Sequence, residues 1–142
     1  GSLATRAGGN AERDAVSVAW SVLAVAGGGA LGALVRWGVT VGLAGVPVGR
    51  WSGFPVGTLV VNVVGTFALA FLLARGVGSE ASPALRLFLA TGFLGALTTF
   101  STFGVDVQGL LQQDRAAQAA LYVGGTLTLA GIAVLLGAWL GR

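Results

Sequence analysis

Four hydroxyls and two aromatic rings crowd into Thr98-Thr99-Phe100-Ser101-Thr102-Phe103, within a stretch otherwise apolar enough for a bilayer. Lipid tails give a hydroxyl nothing to bond, so such groups at membrane depth face protein, water or a passing solute. A second set lies in residues 57–67, where Thr58, Asn62 and Thr66 recur every fourth residue and make one polar stripe along a helix. The stripe reads equally as glue between helices. An Asn amide nevertheless offers two donors and an acceptor without net charge, so Asn62 suits partial replacement of an anion's hydration shell without trapping the ion. Phe100 and Phe103, three apart, share a helical face. Such a pair usually packs a core, but a ring edge is weakly positive and can touch a small dehydrated anion. Upstream, Gly92 and Gly95 precede the β-branched pair Thr98-Thr99, a combination that weakens helical hydrogen bonding and predicts a break. The carbonyls freed by a break at depth need a protein, water or cation partner.

What the chain lacks is as informative. It has no Cys and no His, which removes disulfides, thiolate metal sites and the commonest general base. Neither a Ser-His pair nor paired carboxylates can be assembled, so the chain reads as a non-enzyme. Its eight arginines outnumber five acids but are scattered between apolar runs, which argues against a nucleic-acid partner. With 55% hydrophobic and 9% charged residues and a mean hydropathy of +0.87, the composition is that of a membrane protein.

Four uncharged runs must position these groups: 15–35, with an apolar extension over 37–49, then 54–74, 87–105 and 116–141. At about 1.5 Å per residue each can cross a hydrocarbon core of about 30 Å. The first run lacks a small-residue cleavage pattern followed by a soluble domain, so it reads as a span and not as a removed signal peptide. Residues 1–14 are polar and are expected to form a flexible N-terminal segment ahead of a membrane domain over 15–142. The connections are short. Residues 48–55 are turn-like, 75–86 form a loop that restarts a helix at Ser82-Pro83, and 106–115 are amphipathic enough for an interfacial helix. These links predict an antiparallel up-and-down bundle. Trp20, Trp37, Trp51 and Trp139 fall near the span ends, where indoles favour the headgroup zone. Glycine supplies 25 residues; Gly28 and Gly32 form a small-residue face, and Gly57, Gly65, Gly124, Gly125, Gly131 and Gly137 offer further surfaces for close approach.

The charge count bears on orientation. Arg6, Arg13, Arg75, Arg86 and Arg142 lie on one side, and Arg36, Arg50 and Arg115 on the other. That small bias is a weak positive-inside signal, so both orientations are expected, and oppositely oriented copies can pair about an axis in the membrane plane. A single orientation with the N-terminus inside is the alternative.

The blocks 28–37 (GGALGALVRW), 57–67 (GTLVVNVVGTF) and 92–103 (GFLGALTTFSTF) closely resemble those of the Fluc/CrcB fluoride channels, in the same order. The resemblance implies an all-α membrane protein of four transmembrane helices with a broken third helix, assembled as an antiparallel dual-topology homodimer with two narrow pores. It implies passive, fluoride-selective conduction that relieves fluoride toxicity, in the cell membrane of a prokaryote. Carried over residue by residue, it puts Asn62, Phe100 and Phe103 on the pore, with Thr99, Ser101 and Thr102 as nearby hydroxyls. Tyr122 and Thr126 match a polar track on the fourth helix, and Arg36 matches a vestibule arginine. A structural sodium ion at the dimer centre would be held by main-chain oxygens of Gly95 and Thr98. The chain departs from the family's usual pattern at Trp37, Ala96, Asp106 and Ala130, the last of which shortens the track.

Two other classes fit the residues less well. A small multidrug exporter also uses four helices and dual insertion, but its proton coupling needs a membrane-embedded carboxylate, and Glu12, Asp14, Glu80, Asp106 and Asp114 are read at or outside the span ends. A non-transporting assembly subunit would explain the glycines but neither the Thr58-Asn62-Thr66 stripe nor the Phe pair.

Overall fold

The computed structural model describes residues 2–49, 52–76 and 82–142, with the backbone alone in 2–16. Gly1, Arg50, Trp51 and residues 77–81 lie outside the described residues, and with them part of both expected loops. Among the described residues the elements are helical: α1 (Ser2–Gly42), α2 (Val56–Ala74), α3 (Pro83–Arg86), a π-helical segment (Leu87–Leu94), α4 (Gly95–Leu97), α5 (Phe100–Gln112) and α6 (Ala116–Leu140). Four stretches are long and apolar enough to cross a membrane: Ser17–Gly42, Val56–Ala74, Pro83–Gln112 and Ala116–Leu140. The chain is a multi-pass membrane protein.

Two boundaries differ from the sequence reading. Trp37 to Gly42 continues α1 instead of trailing from it, because nothing before Gly45, where φ becomes +83°, forces the backbone out of the helix. Residues 106–112 continue α5 and make no separate interfacial helix; the chain turns only at Asp114 (φ 58°), where the Arg115 amide reaches back to Leu110 O at 2.9 Å. As expected, Ser82 caps a helix whose first residue is Pro83, its hydroxyl accepting from the Leu85 amide at 3.3 Å.

α2 packs along α6, and α1 packs along the π-helical segment and α4. Glycine makes the second pairing possible. A Cβ on Gly28 would run into the Phe88 carbonyl oxygen, and one on Gly32 into that of Phe93. Gly57 meets the Thr40 backbone and Gly137 the Phe67 carbonyl, whereas Gly124, Gly125 and Gly131 meet nothing within 4 Å in this subunit. The buried interior is small, with one cluster of Phe54, Phe103, Leu110, Ala119 and Tyr122 and another of Val61, Leu94 and Leu97. Leucines, valines and tryptophans cover the outside instead, among them Leu135, Trp37, Trp139 and Leu127. That surface suits lipid, where apolar exposure carries no penalty.

Candidate functional site

Between α4 and α5 the chain leaves helical geometry for two residues, Thr98 (φ −80°, ψ 148°) and Thr99 (φ −150°, ψ 125°). Asn62 on α2 meets this step as a peptide group would. Its Nδ2 donates to Thr99 O at 3.1 Å, and its Oδ1 accepts from the Thr99 amide at 2.7 Å. α2 comes close enough because of Gly65, whose Cβ would stand 2.6 Å from the Thr98 methyl. Asn62 thus spends its acceptor and one of two donors on the backbone, leaving a single N–H for anything else.

Thr99 then starts α5. Its hydroxyl accepts from the Thr102 amide at 3.3 Å, donates to Thr102 Oγ1 at 3.1 Å and lies 3.3 Å from Ser101 Oγ. In an unbroken helix the Thr99 and Thr102 amides would return to the carbonyls of Gly95 and Thr98. Here Asn62 and the Thr99 hydroxyl take those amides, so both carbonyls are left without their helical donors. Neutral main-chain oxygens of this kind are the donor chemistry that suits a sodium ion.

The interrupted step opens on a cavity of about 260 Å³ lined by Asn62, Thr66, Thr98, Thr99, Phe100, Phe103 and Thr126, with Leu127 and Ala130 completing the wall. Its two rings differ in surroundings. Phe103 is buried, while Phe100, 5.6 Å away between centroids, is 81% exposed. Thr126 is buried and its hydroxyl has no hydrogen-bond partner, so one donor in this wall is uncommitted. Tyr122 stands behind Phe103, with ring centroids 5.1 Å apart, and meets Phe54 edge-on at 5.5 Å.

A second pair of cavities flanks the start of α5. One of about 350 Å³ includes Thr40, Thr58, Thr102 and Asp106 in its wall; one of about 200 Å³ is lined by Ala33, Arg36, Trp37, Thr40 and Thr102. They share Thr40 and Thr102, so Arg36 opens toward the same region as the Thr102 hydroxyl. Asn62, Thr98, Thr99, Phe100, Phe103 and Thr126 therefore surround one cavity, Arg36 and Thr102 a neighbouring region, and Gly95, Ser101 and Tyr122 line none of these walls.

Sequence reasoning missed Thr40 and misread Asp106. Thr40 falls in the apolar extension beyond the first run, yet it stands four residues after Arg36 on the same helix; its hydroxyl returns to the carbonyls of Arg36 and Trp37 at 3.0 and 2.9 Å. Asp106 lies within the third span, not at its end, because α5 continues to Gln112. It accepts the Tyr122 hydroxyl proton at 3.0 Å. The missing signal was the length of α5, which an amphipathic pattern conceals by resembling an interfacial turn.

Residues 23–138 match the family described as CrcB-like protein, Camphor Resistance (CrcB). A Halobacterium salinarum protein named fluoride-specific ion channel FluC 1 is 45% identical over 124 residues, 87% of this chain and 95% of that one. A Shewanella halifaxensis protein named fluoride-specific ion channel FluC is 44% identical over 103 residues, 72% of this chain and 81% of its own. A protein of the same name from Paraburkholderia xenovorans is 40% identical over 123 residues, 82% and 94% of the two chains.

Proposed function

Because the chain belongs to the CrcB-like family, we propose that it is a passive, fluoride-selective ion channel that lets fluoride leave the cell and so relieves its toxicity. The observation that carries this reading is the cavity on the Thr98-Thr99 step, where an uncommitted Thr126 hydroxyl, the remaining Asn62 N–H and two phenylalanine rings converge without a full charge. Fluoride is strongly hydrated, so a conducting route must replace its water in stages and still release it. Neutral donors and ring edges meet both demands, whereas a fixed cation at depth would hold the ion.

The extended Thr98-Thr99 step is the break of the third helix, and its main-chain geometry is the support for that reading. Two subunits of opposite orientation form an antiparallel homodimer. The weak arginine bias supports it, and so does Phe100, a large ring left exposed beside a polar wall for a second copy to face. A sodium ion would be held by the carbonyls of Gly95 and Thr98, which have lost their helical donors, and would supply positive charge there. Asn62, Phe100, Phe103, Thr99, Ser101, Thr102, Tyr122 and Thr126 line or support the route, and Arg36 attracts anions at its wet mouth. The setting is the cell membrane, the inner membrane where there are two.

The test is fluoride-electrode efflux from proteoliposomes, run beside chloride efflux. Rapid fluoride release with chloride retained is expected, and Phe100→Ala should slow release while the protein stays folded. Vesicles that hold fluoride as tightly as empty ones would reject the reading.

A further inference from the structure

Asp106 is a carboxylate that the route leaves without a task, yet it lies within the third span and against Tyr122. Its Oδ2 accepts the Tyr122 hydroxyl at 3.0 Å, and the carboxylate forms part of the 350 Å³ cavity with Thr40, Thr58 and Thr102. Tyr122 is 1% exposed and held on two sides by the rings of Phe54 and Phe103. Its ring cannot swing to a new partner without disturbing both. A phenol has one proton to donate. While Asp106 holds that proton, the phenol oxygen, which also meets the Thr58 side chain, has no donor left for an ion.

We infer that Asp106 is a positioning residue that takes the Tyr122 proton out of the ion's reach, so that this wall lacks a strong phenol donor and fluoride is not retained there. The inference rests on the fluoride-channel reading. It gives the acid a role that is opposite to that of an exporter's proton carrier: Asp106 acts by staying an acceptor. The donors left facing the ion are then the weaker hydroxyl of Thr126 and the Asn62 amide, in keeping with an ion that must leave as readily as it enters.

Four variants separate the acceptor from the charge, with Asp106→Glu keeping both. Asp106→Asn removes the charge and keeps an acceptor oxygen, Asp106→Leu removes both, and Tyr122→Phe removes the proton at issue. Fluoride efflux is measured against fluoride concentration for each variant and for the Asp106→Leu, Tyr122→Phe double variant. Asp106→Leu should lower the half-saturating fluoride concentration about fivefold, the scale of one hydrogen bond, together with a lower maximal rate. Asp106→Asn and Asp106→Glu should keep the native half-saturation, and Tyr122→Phe should cancel the effect of Asp106→Leu. Unchanged saturation in Asp106→Leu, or an effect that persists without the phenol, would overturn the inference.

A second measurement does not need transport. Tyr122 is the only tyrosine in the chain, so the Raman doublet of its phenol reports one hydroxyl. The native protein should give the doublet of a donating tyrosine, and Asp106→Leu should shift it. An unshifted doublet overturns the assignment of the proton even if saturation changes. If native vesicles retain fluoride, the channel reading and the inference's ionic consequence fall together, while the doublet still decides where the proton lies.

Discussion

At the scale of single residues, the polar groups divide into those that hold the backbone and those left for a solute. Asn62 belongs mostly to the first kind, since two of its three hydrogen-bonding groups serve Thr99. Asn62→Leu should therefore lower both fluoride efflux and thermal stability, because each buried backbone group left unpaired costs about 1–3 kcal/mol. Melting in detergent beside the flux assay checks this, and loss of flux at native stability would contradict it. Thr126 belongs to the second kind. Thr126→Val removes a buried hydroxyl that has no partner, so efflux should fall while stability holds or rises by about 1 kcal/mol. Equal loss of both would mean that the hydroxyl serves the fold. The hydroxyls and Asn62 were legible in the sequence as a set. Their division of labour was not, because spacing shows which side chains share a face and says nothing of which backbone group answers them.

At the scale of elements, the decisive contact is that of α2 with the extended step, and a glycine permits it. Gly65→Ala would place a methyl 2.6 Å from the Thr98 methyl, so α2 or the step must shift. Overpacking of this kind costs about 1–3 kcal/mol, and the shift also pulls Asn62 from Thr99, so efflux should fall further than stability alone explains. Gly124→Ala is the matched control, since nothing lies within 4 Å of that position in the subunit and alanine favours the helix. Its melting temperature should be native or higher. The sequence marked Gly28, Gly32, Gly65 and Gly124 alike as packing surfaces. Only the crossing of helices separates the first three from the last, because the face that a small residue presents gains meaning from what comes to meet it. The π-helical turn over Leu87–Leu94 had no sequence signal either, as that stretch is apolar on all sides and carries no period.

At the scale of the whole molecule, charge and symmetry take over. If the two orientations are inserted in comparable amounts, a single cysteine added near the C-terminus should be labelled from both sides of the membrane by an impermeant reagent; the native chain has no cysteine to interfere. Adding arginines beside Arg75 and Arg86 should tilt that ratio and reduce activity, since one orientation alone cannot make antiparallel pairs. One-sided labelling of the starting protein with full activity would contradict the paired arrangement. The proposed sodium predicts a further dependence. Protein prepared without sodium, with an organic cation in its place, should lose fluoride efflux and regain it when sodium returns.

The four apolar runs, the poverty of charge and the order of the motif blocks determined a four-span membrane protein and its family, because bilayer thickness and hydrogen-bond satisfaction constrain a sequence one segment at a time. The spans at 56–74 and 116–140 needed little correction for that reason. The tertiary structure alone decided that Asn62 completes the backbone of Thr99, that Thr126 keeps a free hydroxyl, and that Asp106 reaches Tyr122 from inside a span. The first and last of those facts join residues of different elements, 37 and 16 positions apart in the chain. Their meeting depends on how closely glycines let the helices cross, a distance that no local pattern carries.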